Sequence, residues 1–292
     1  MQGFTERNPV ALTVYYLSIT VPMMFCMDPV LLTVGFFSGF SLLLLTDRKL
    51  RPASLLLYFL IPPISAVLNG LMNHGGVTVL FVLNDNPVTK EALLYGLTAG
   101  LMLSAVLLWF RSFSAVMTTD KLLYVFSRLS PKLALILSMT LRYIPLYRRQ
   151  AQKTREANRA IGLMSDDSFL DRLRGGLRVF SAMVTWALEN GVVTADSMTA
   201  RGYGSGKRTR FSLFFWHGGD TVLTVFILLA AVGTALAMAG GYLGYTWYPR
   251  ILSPAPTAAG IGAYVLFALA AFLPSILEGG AGLRWRSFVS QT

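Results

Sequence analysis

Leu141-Arg-Tyr-Ile-Pro-Leu146, Gln150-Ala-Gln-Lys-Thr-Arg-Glu-Ala-Asn-Arg-Ala-Ile-Gly162 and Ala195-Asp-Ser-Met-Thr-Ala-Arg-Gly-Tyr-Gly204 mark out one charged stretch, Met139 to Arg210. The chain on either side of it reads as membrane. Between Arg111 and Arg210 lie 17 of the 25 Lys and Arg, against 7 of the 14 Asp and Glu. Ser130-Pro131-Lys132 is a helix start. Leu133 to Ile144 is mostly apolar, and from Arg142 onward charges enter closely, at Arg148, Arg149, Lys153, Arg155, Glu156 and Arg159. This is one long helix that begins against apolar surface and ends in water. Gly162 and Ser165-Asp166-Asp167-Ser168 stop it and cap the next helix. There the apolar positions Phe169, Leu173, Leu177, Phe180, Val184 and Ala187 step by three and four, an amphipathic stripe. Arg172, Arg174 and Arg178 lie off it. A third, short helical piece is expected from Val192 to Arg201, ended by Gly202-Tyr203-Gly204.

Working outward, the apolar runs Val10–Cys26 and Val30–Leu45 form a helical hairpin broken at Asp28-Pro29. Leu55–Leu71 is a third span carrying Pro62-Pro63, and Ala92–Phe110 a fourth. Val77–Leu83 is too short to cross, and Asn84-Asp85-Asn86-Pro87 is a turn. Val222–Gly244 and Ala258–Leu277 complete six spans, each near or above the roughly 17–20 residues needed to cross a bilayer. The chain is 292 residues long, 54% hydrophobic and 13% charged, with a mean hydropathy of +0.57. Soluble domains carry about 25% charged residues. The fold class is therefore an all-α polytopic membrane protein. Its parts are residues 1–112 with about four spans, residues 113–216 as cytosolic or interfacial helices, and residues 217–292 with two spans. The +11 net charge is topological, because Lys and Arg collect in cytoplasmic loops. Nucleic acid is not an expected partner. Arg48-Lys49-Arg51, the insert and Arg284/Arg286 fall on one side, Lys90 and Arg250 on the other, so both termini and the insert are expected in the cytosol. No cleavable signal is read at Met1–Pro9. A single cysteine, Cys26, excludes an intrachain disulfide. With only His74 and His217 beside it, no metal site is expected.

Two helix ends are of similar type: Ala157-Asn-Arg-Ala-Ile-Gly162 and Met198-Thr-Ala-Arg-Gly202. Small residues beside an Arg let a helix tip approach another protein, and the guanidinium offers a planar fork of donors. Two similar tips point to two similar pockets, one in each half of a dimeric partner.

These residues resemble the transmembrane T component of energy-coupling factor transporters, prokaryotic importers of vitamins and transition-metal ions. The resemblance spans most of the chain. It is most specific in Leu141–Leu146, Gln150-Ala151-Gln152 and Ala195–Gly204. It implies that Ala200, Arg201 and Gly202 form one ATPase-coupling motif, and Arg159, Ala160 and Gly162 the other. In the first, alignment on the small residues puts Ile161 where an Arg is usual, with Arg159 two residues earlier. Two residues are about 200° of helix, so Arg159 and Ile161 point differently, and either could fill the position. The resemblance further implies two ATP-binding-cassette ATPases, identical or not, which would hold ATP and Mg. It also implies a separate membrane S component that binds substrate and tilts on the amphipathic helices. Leu133, Leu137, Phe180 and Val184 are its expected platform, or else they only pack the two long helices together. The chain itself is not expected to be an enzyme. It has no catalytic residues, no bound cofactor and no Gly-x-x-x-x-Gly-Lys-Ser/Thr loop. Its place is the plasma membrane of a prokaryote.

Other classes fit less well. Asp196…Ala200-Arg201-Gly202 faintly resembles a phospholipid-synthesising phosphotransferase, whose chemistry needs several carboxylates together; none follows Asp196 until Asp220. A stand-alone channel or transporter needs ionisable residues inside its spans. Here Asn69, Asn73 and His74 are the candidates, and a satisfied span end explains them. Lys207-Arg208-Thr209-Arg210 suits anionic lipid and equally an anchor for the fifth span.

Overall fold

The computed structural model describes residues 3–46, 52–83, 86–163, 169–206 and 214–289. It divides into two units: Met1–Leu122 with Phe214–Thr292, and Leu123–Leu213. Among the described residues are nine α-helices and one two-stranded hairpin.

In the first unit, helix α1 (Pro9–Phe25) opens with Asn8 accepting a hydrogen bond from Val10 N at 3.1 Å. Proline at its first position loses no intrahelical bond. Helix α2 (Pro29–Thr46) is capped by the buried Asp28, whose Oδ1 accepts from Val30 N at 2.9 Å and Leu31 N at 3.2 Å. Its other oxygen accepts from the Tyr264 hydroxyl. A carboxylate here meets the free N–H groups and the positive end of the helix dipole. Helix α3 (Pro52–Met72) carries Pro62 and Pro63, and α4 (Lys90–Val116) packs against it. Gly96 and Gly100, four apart on one face of α4, permit this. A Cβ at Gly96 would stand 2.8 Å from Ser65 O, and one at Gly100 2.7 Å from Pro62 Cα. Close backbone approach through small residues is how helices pack in lipid.

Between α3 and α4 the chain forms strands β1 (Val79–Leu83) and β2 (Asn86–Thr89), paired antiparallel. The fold is that of the expected all-α polytopic membrane protein, and this small hairpin is its one pair of strands among the described residues. The apolar run too short to span is rich in β-branched and aromatic residues and pairs with β2, which takes in Asn86 and Pro87 of the expected turn; Asn84 and Asp85 lie outside the described residues. Helices α8 (Gly218–Ala239) and α9 (Ala258–Val289) complete the unit. Five stretches are long and apolar enough to cross a membrane: Pro29–Thr46, Leu55–Met72, Lys90–Val116, Gly218–Ala239 and Ala258–Gly280. The expected sixth, α1, is a shorter apolar helix of 17 residues.

The bundle core is aromatic. Tyr15, Tyr16 and Trp109 are buried and in mutual ring contact, with Phe4 against both tyrosines and Phe113 against Tyr16. Trp109 donates to Gly35 O at 2.9 Å. A Cβ at Gly39 would come within 2.9 Å of the same indole nitrogen. Outside this core, Leu56, Val67, Leu103, Leu229, Val232 and Leu269 are exposed, as side chains that meet lipid must be.

Helix α5 (Thr119–Leu129) leads into the second unit, which holds α6 (Pro131–Ala160) and α7 (Phe169–Ala200). The long charged helix is thus continuous, through Pro145. The third piece expected at Val192–Arg201 is not separate: α7 runs unbroken through Gly191 to Ala200. Asn190 donates to Trp186 O and Thr194 to Asn190 O, at 2.8 and 2.7 Å. Side chains that elsewhere open a turn here bond back along the helix.

Candidate functional site

Helices α6 and α7 run antiparallel. The Tyr143 hydroxyl shares a 2.6 Å hydrogen bond with Thr194, Tyr147 meets Trp186 edge-on at 5.4 Å, and Arg178 Nη1 donates to Leu163 O at 2.9 Å. The residue numbers rise on one helix as they fall on the other. Tyr143 also stacks on Tyr147, ring centroids 5.5 Å apart. The seam on α7 is Gly175, Val179, Met183, Trp186, Asn190 and Thr194, all buried or half-buried. The apolar stripe read from sequence lies on another face. Phe169, Leu173, Leu177, Phe180 and Val184 are exposed, Phe180 by 67%, and Leu188 extends the row, while Ala187 is half-buried. Leu133 is exposed and Leu137 half-buried. Leu133, Phe180 and Val184 are thus exposed and lie off the buried seam.

The two helix ends are built alike. On α6, Gly162 N donates to Arg159 O at 3.1 Å and Leu163 N to Asn158 O at 2.9 Å, with Gly162 at φ +71°. On α7, Gly202 N donates to Thr199 O at 2.9 Å and Tyr203 N to Met198 O at 3.0 Å, with Gly202 at φ +74°. These paired bonds, six-to-one and five-to-two, define a Schellman cap, whose left-handed residue is usually glycine. Gly162 matches Gly202, Ala160 matches Ala200, and Ile161 stands where Arg201 stands. Arg159 matches Thr199, two residues before that position. Ala160, Ile161, Gly162, Ala200, Arg201 and Gly202 are all exposed, as is Arg159. From the Tyr143–Thr194 contact, Ala160 lies about 25 Å along α6 and Ala200 about 9 Å the other way along α7, at about 1.5 Å per residue. The tips sit at opposite ends of the pair. The second has an extra turn, in which Ser205 Oγ donates to Gly202 O at 2.7 Å.

Elsewhere, Asn69 donates to Ala92 O at 2.6 Å and Asn73 to the Tyr248 hydroxyl at 3.1 Å, so both have structural partners. His74 Nε2 is buried with no hydrogen-bond partner among the described residues. No three His, Cys, Asp or Glu side chains converge among the described residues. Ser165–Ser168, Arg48-Lys49-Arg51 and Lys207-Arg208-Thr209-Arg210 lie outside the described residues, as do the side chains of Arg284 and Arg286. Sequence reasoning missed the seam, although Tyr143, Tyr147 and Trp186 at helical spacing were its signal. It also missed the N-terminal residues Phe4 to Arg7, for which no local pattern exists.

The first unit is a bundle of apolar helices, and the second an antiparallel helix pair with two like, exposed tips. The CbiQ family model, described as cobalt transport protein, matches residues 5–213, from the N-terminal segment to just beyond the second tip. The chain belongs to this family, the EcfT/CbiQ-like transmembrane T components of energy-coupling factor transporters. The energy-coupling factor transporter transmembrane protein EcfT 1 of Listeria monocytogenes is 29% identical over 106 residues, 36% of this chain and 40% of its own. EcfT of Listeria innocua is 34% identical over 96 residues, 32% and 36% of the two chains. EcfT of Exiguobacterium sibiricum is 32% identical over 114 residues, 38% and 43%. The matched stretch thus spans less than half the length of each of these relatives. The family is one of transporter membrane subunits, and the chain is a multi-pass membrane protein of a prokaryote.

Proposed function

We propose that this chain is the scaffold and coupling subunit of an importer, seated through α6 and α7 on two ATP-binding-cassette ATPase subunits. One tip, Ala200-Arg201-Gly202, enters a groove of one ATPase. The other, Ala160-Ile161-Gly162 with Arg159 behind it, enters the equivalent groove of the second. ATP and Mg are held by those subunits. Their opening and closing moves the helix pair, and a separate substrate-binding membrane protein rides on its apolar face at Leu133, Phe180 and Val184, with Leu137 beneath. The substrate, a vitamin or a transition-metal ion, is chosen by that protein. The coupling part is residues 113–216; it and both termini lie in the cytosol of the cell, on the inner side of the plasma membrane.

The observation that carries this reading is the equivalence of the two caps. A dimeric partner with two like grooves asks for two like tips facing opposite ways. A solvated basic loop asks for neither. The unshared apolar stripe on α7 adds to it, since such a face in water costs about 25 cal/mol per Å² left uncovered. The test is co-purification in detergent with the ATPase subunits encoded by the same cell. Wild type retains them and Arg201→Glu loses them, while the variant keeps its helical content and melting temperature. Equal retention by both rejects the coupling site.

A further inference from the structure

The covalent path between the bundle and the insert runs through two junctions. The chain leaves past Val116 and Lys121 and returns at Phe214–Gly218. One short segment, the 3₁₀ turn Phe4–Glu6 with Arg7 and Asn8, is fastened to both. At the exit, Lys121 Nζ donates to Thr5 O at 2.6 Å and to Val116 O at 3.0 Å. At the return, Arg7 Nη1 donates to Gly219 O at 2.7 Å and lies 3.7 Å from the buried carboxylate of Asp220. Asn8 Nδ2 donates to Phe215 O at 3.5 Å. The same turn reaches α9, where Thr5 N and Oγ1 both bond Glu278, each at 3.3 Å. Phe4, fully buried, pins the turn into Tyr15 and Tyr16 at 5.1 and 6.1 Å.

We propose that this clasp, Phe4 to Asn8 with Lys121 and Asp220, is the transmission joint of the protein: it locks both junctions to each other and to α9, so that displacement of the insert moves the bundle instead of being absorbed in two separate connections. The inference rests on the coupling role proposed above. Its physical basis is directional bonding. Apolar contacts slide at little cost, whereas charge-assisted hydrogen bonds fix distance and angle. Burial lowers the pKa of Lys121, and the carboxylates of Glu278 and Glu6 oppose that shift. Asp220 also caps α8, taking a bond from His217 N at 3.1 Å. The clasp thus holds the helix start as well as the loop before it. These are positioning residues, acting through the helices they hold.

The test uses the complex of this chain with its ATPases in lipid nanodiscs. Spin labels are placed at the exposed residues Leu188 of the insert and Leu229 of the bundle, with Cys26→Ala removing the native thiol. The interspin distance is read without nucleotide and with ATP plus vanadate. Wild type shows a nucleotide-dependent shift. Lys121→Met and Phe4→Ala lose it while retaining the ATPases, and Lys121→Arg keeps it. Asp28→Ala, which weakens the bundle away from the clasp, also keeps it. A shift of wild-type size in both clasp variants overturns the proposal. So does its loss in Asp28→Ala, which would reduce the effect to stability. If wild type retains no ATPase, the coupling role itself is wrong, and the pull-down reads that separately.

Discussion

Ile161 and Arg201 occupy the same position in two equivalent helix caps. Each directly precedes a glycine in the left-handed region, φ +71° at Gly162 and +74° at Gly202, and each follows an alanine. Their side chains leave like backbones in like directions, yet one is apolar and the other carries a fork of five donors. In the coupling role proposed above, two like grooves would therefore be met by side chains of different chemistry. An isoleucine 67% exposed asks for an apolar pocket, and an arginine for carboxylates or carbonyls.

Ile161→Glu is expected to weaken ATPase retention more than Arg159→Glu, because Arg159 corresponds to Thr199 and not to Arg201. The loss should be on the order of tenfold or more, as for a central contact residue in an interface. Immobilised wild-type and variant chains titrated with purified ATPase measure it. A larger loss with Arg159→Glu would return the first motif to its arginine.

Gly162 and Gly202 test the cap geometry itself. A Cβ at Gly162 meets no atom within 4 Å, so alanine there costs only the left-handed backbone, about 1–2 kcal/mol. At Gly202 the added Cβ also comes within 3.1 Å of Ser205 Oγ. Both Gly→Ala variants should fray the last helical turn, seen as faster amide exchange at Leu163 and Tyr203. Asn, which tolerates the left-handed region better than Ala, should restore slow exchange in part.

The spans were legible because apolar runs of bilayer length need no tertiary context. The α6–α7 surfaces were legible only in outline. A period of 3.6 finds both the seam through Val179 and Trp186 and the exposed row through Leu177 and Phe180, but it cannot say which one a neighbour covers. Gly191-Val192-Val193 reads as a break, since glycine and β-branched residues weaken helices; the flanking Asn190 and Thr194 bond back into α7 and carry it through. Strand β1 was a short apolar run whose pairing depends on β2. The clasp was invisible: Thr5 finds Glu278, and Arg7 finds Asp220, across almost the whole chain, and no local pattern encodes such a meeting.

Asp28 should behave as a helix cap. Asp28→Asn keeps an N-cap oxygen for Val30 N and Leu31 N, whereas Asp28→Ala removes it and also strands the Tyr264 hydroxyl. The alanine variant should lose about 1–2 kcal/mol, and the asparagine variant clearly less. Thermal unfolding in one detergent, followed by loss of monodisperse protein, ranks them. Equal melting temperatures for both variants would show that the cap is not what stabilises this helix start.

Gly96 gives the sharpest stability prediction in the bundle, because what crowds it is partly backbone. An added Cβ would stand 2.8 Å from Ser65 O, 2.9 Å from Ala66 Cα and 2.7 Å from Asn69 Cβ. Backbone cannot swing aside as a side chain can, so α3 and α4 must separate along their contact. Asn69 would then lose its 2.6 Å bond to Ala92 O. Gly96→Ala should cost about 1–3 kcal/mol, the range of an overpacked core. Gly233 is the control. There the Cβ meets only Leu266 Cδ2, at 2.9 Å, the far end of a flexible side chain, and Gly233→Ala should lower the melting temperature little. If the two alanines act alike, the close approach of α3 and α4 is not what holds these helices together.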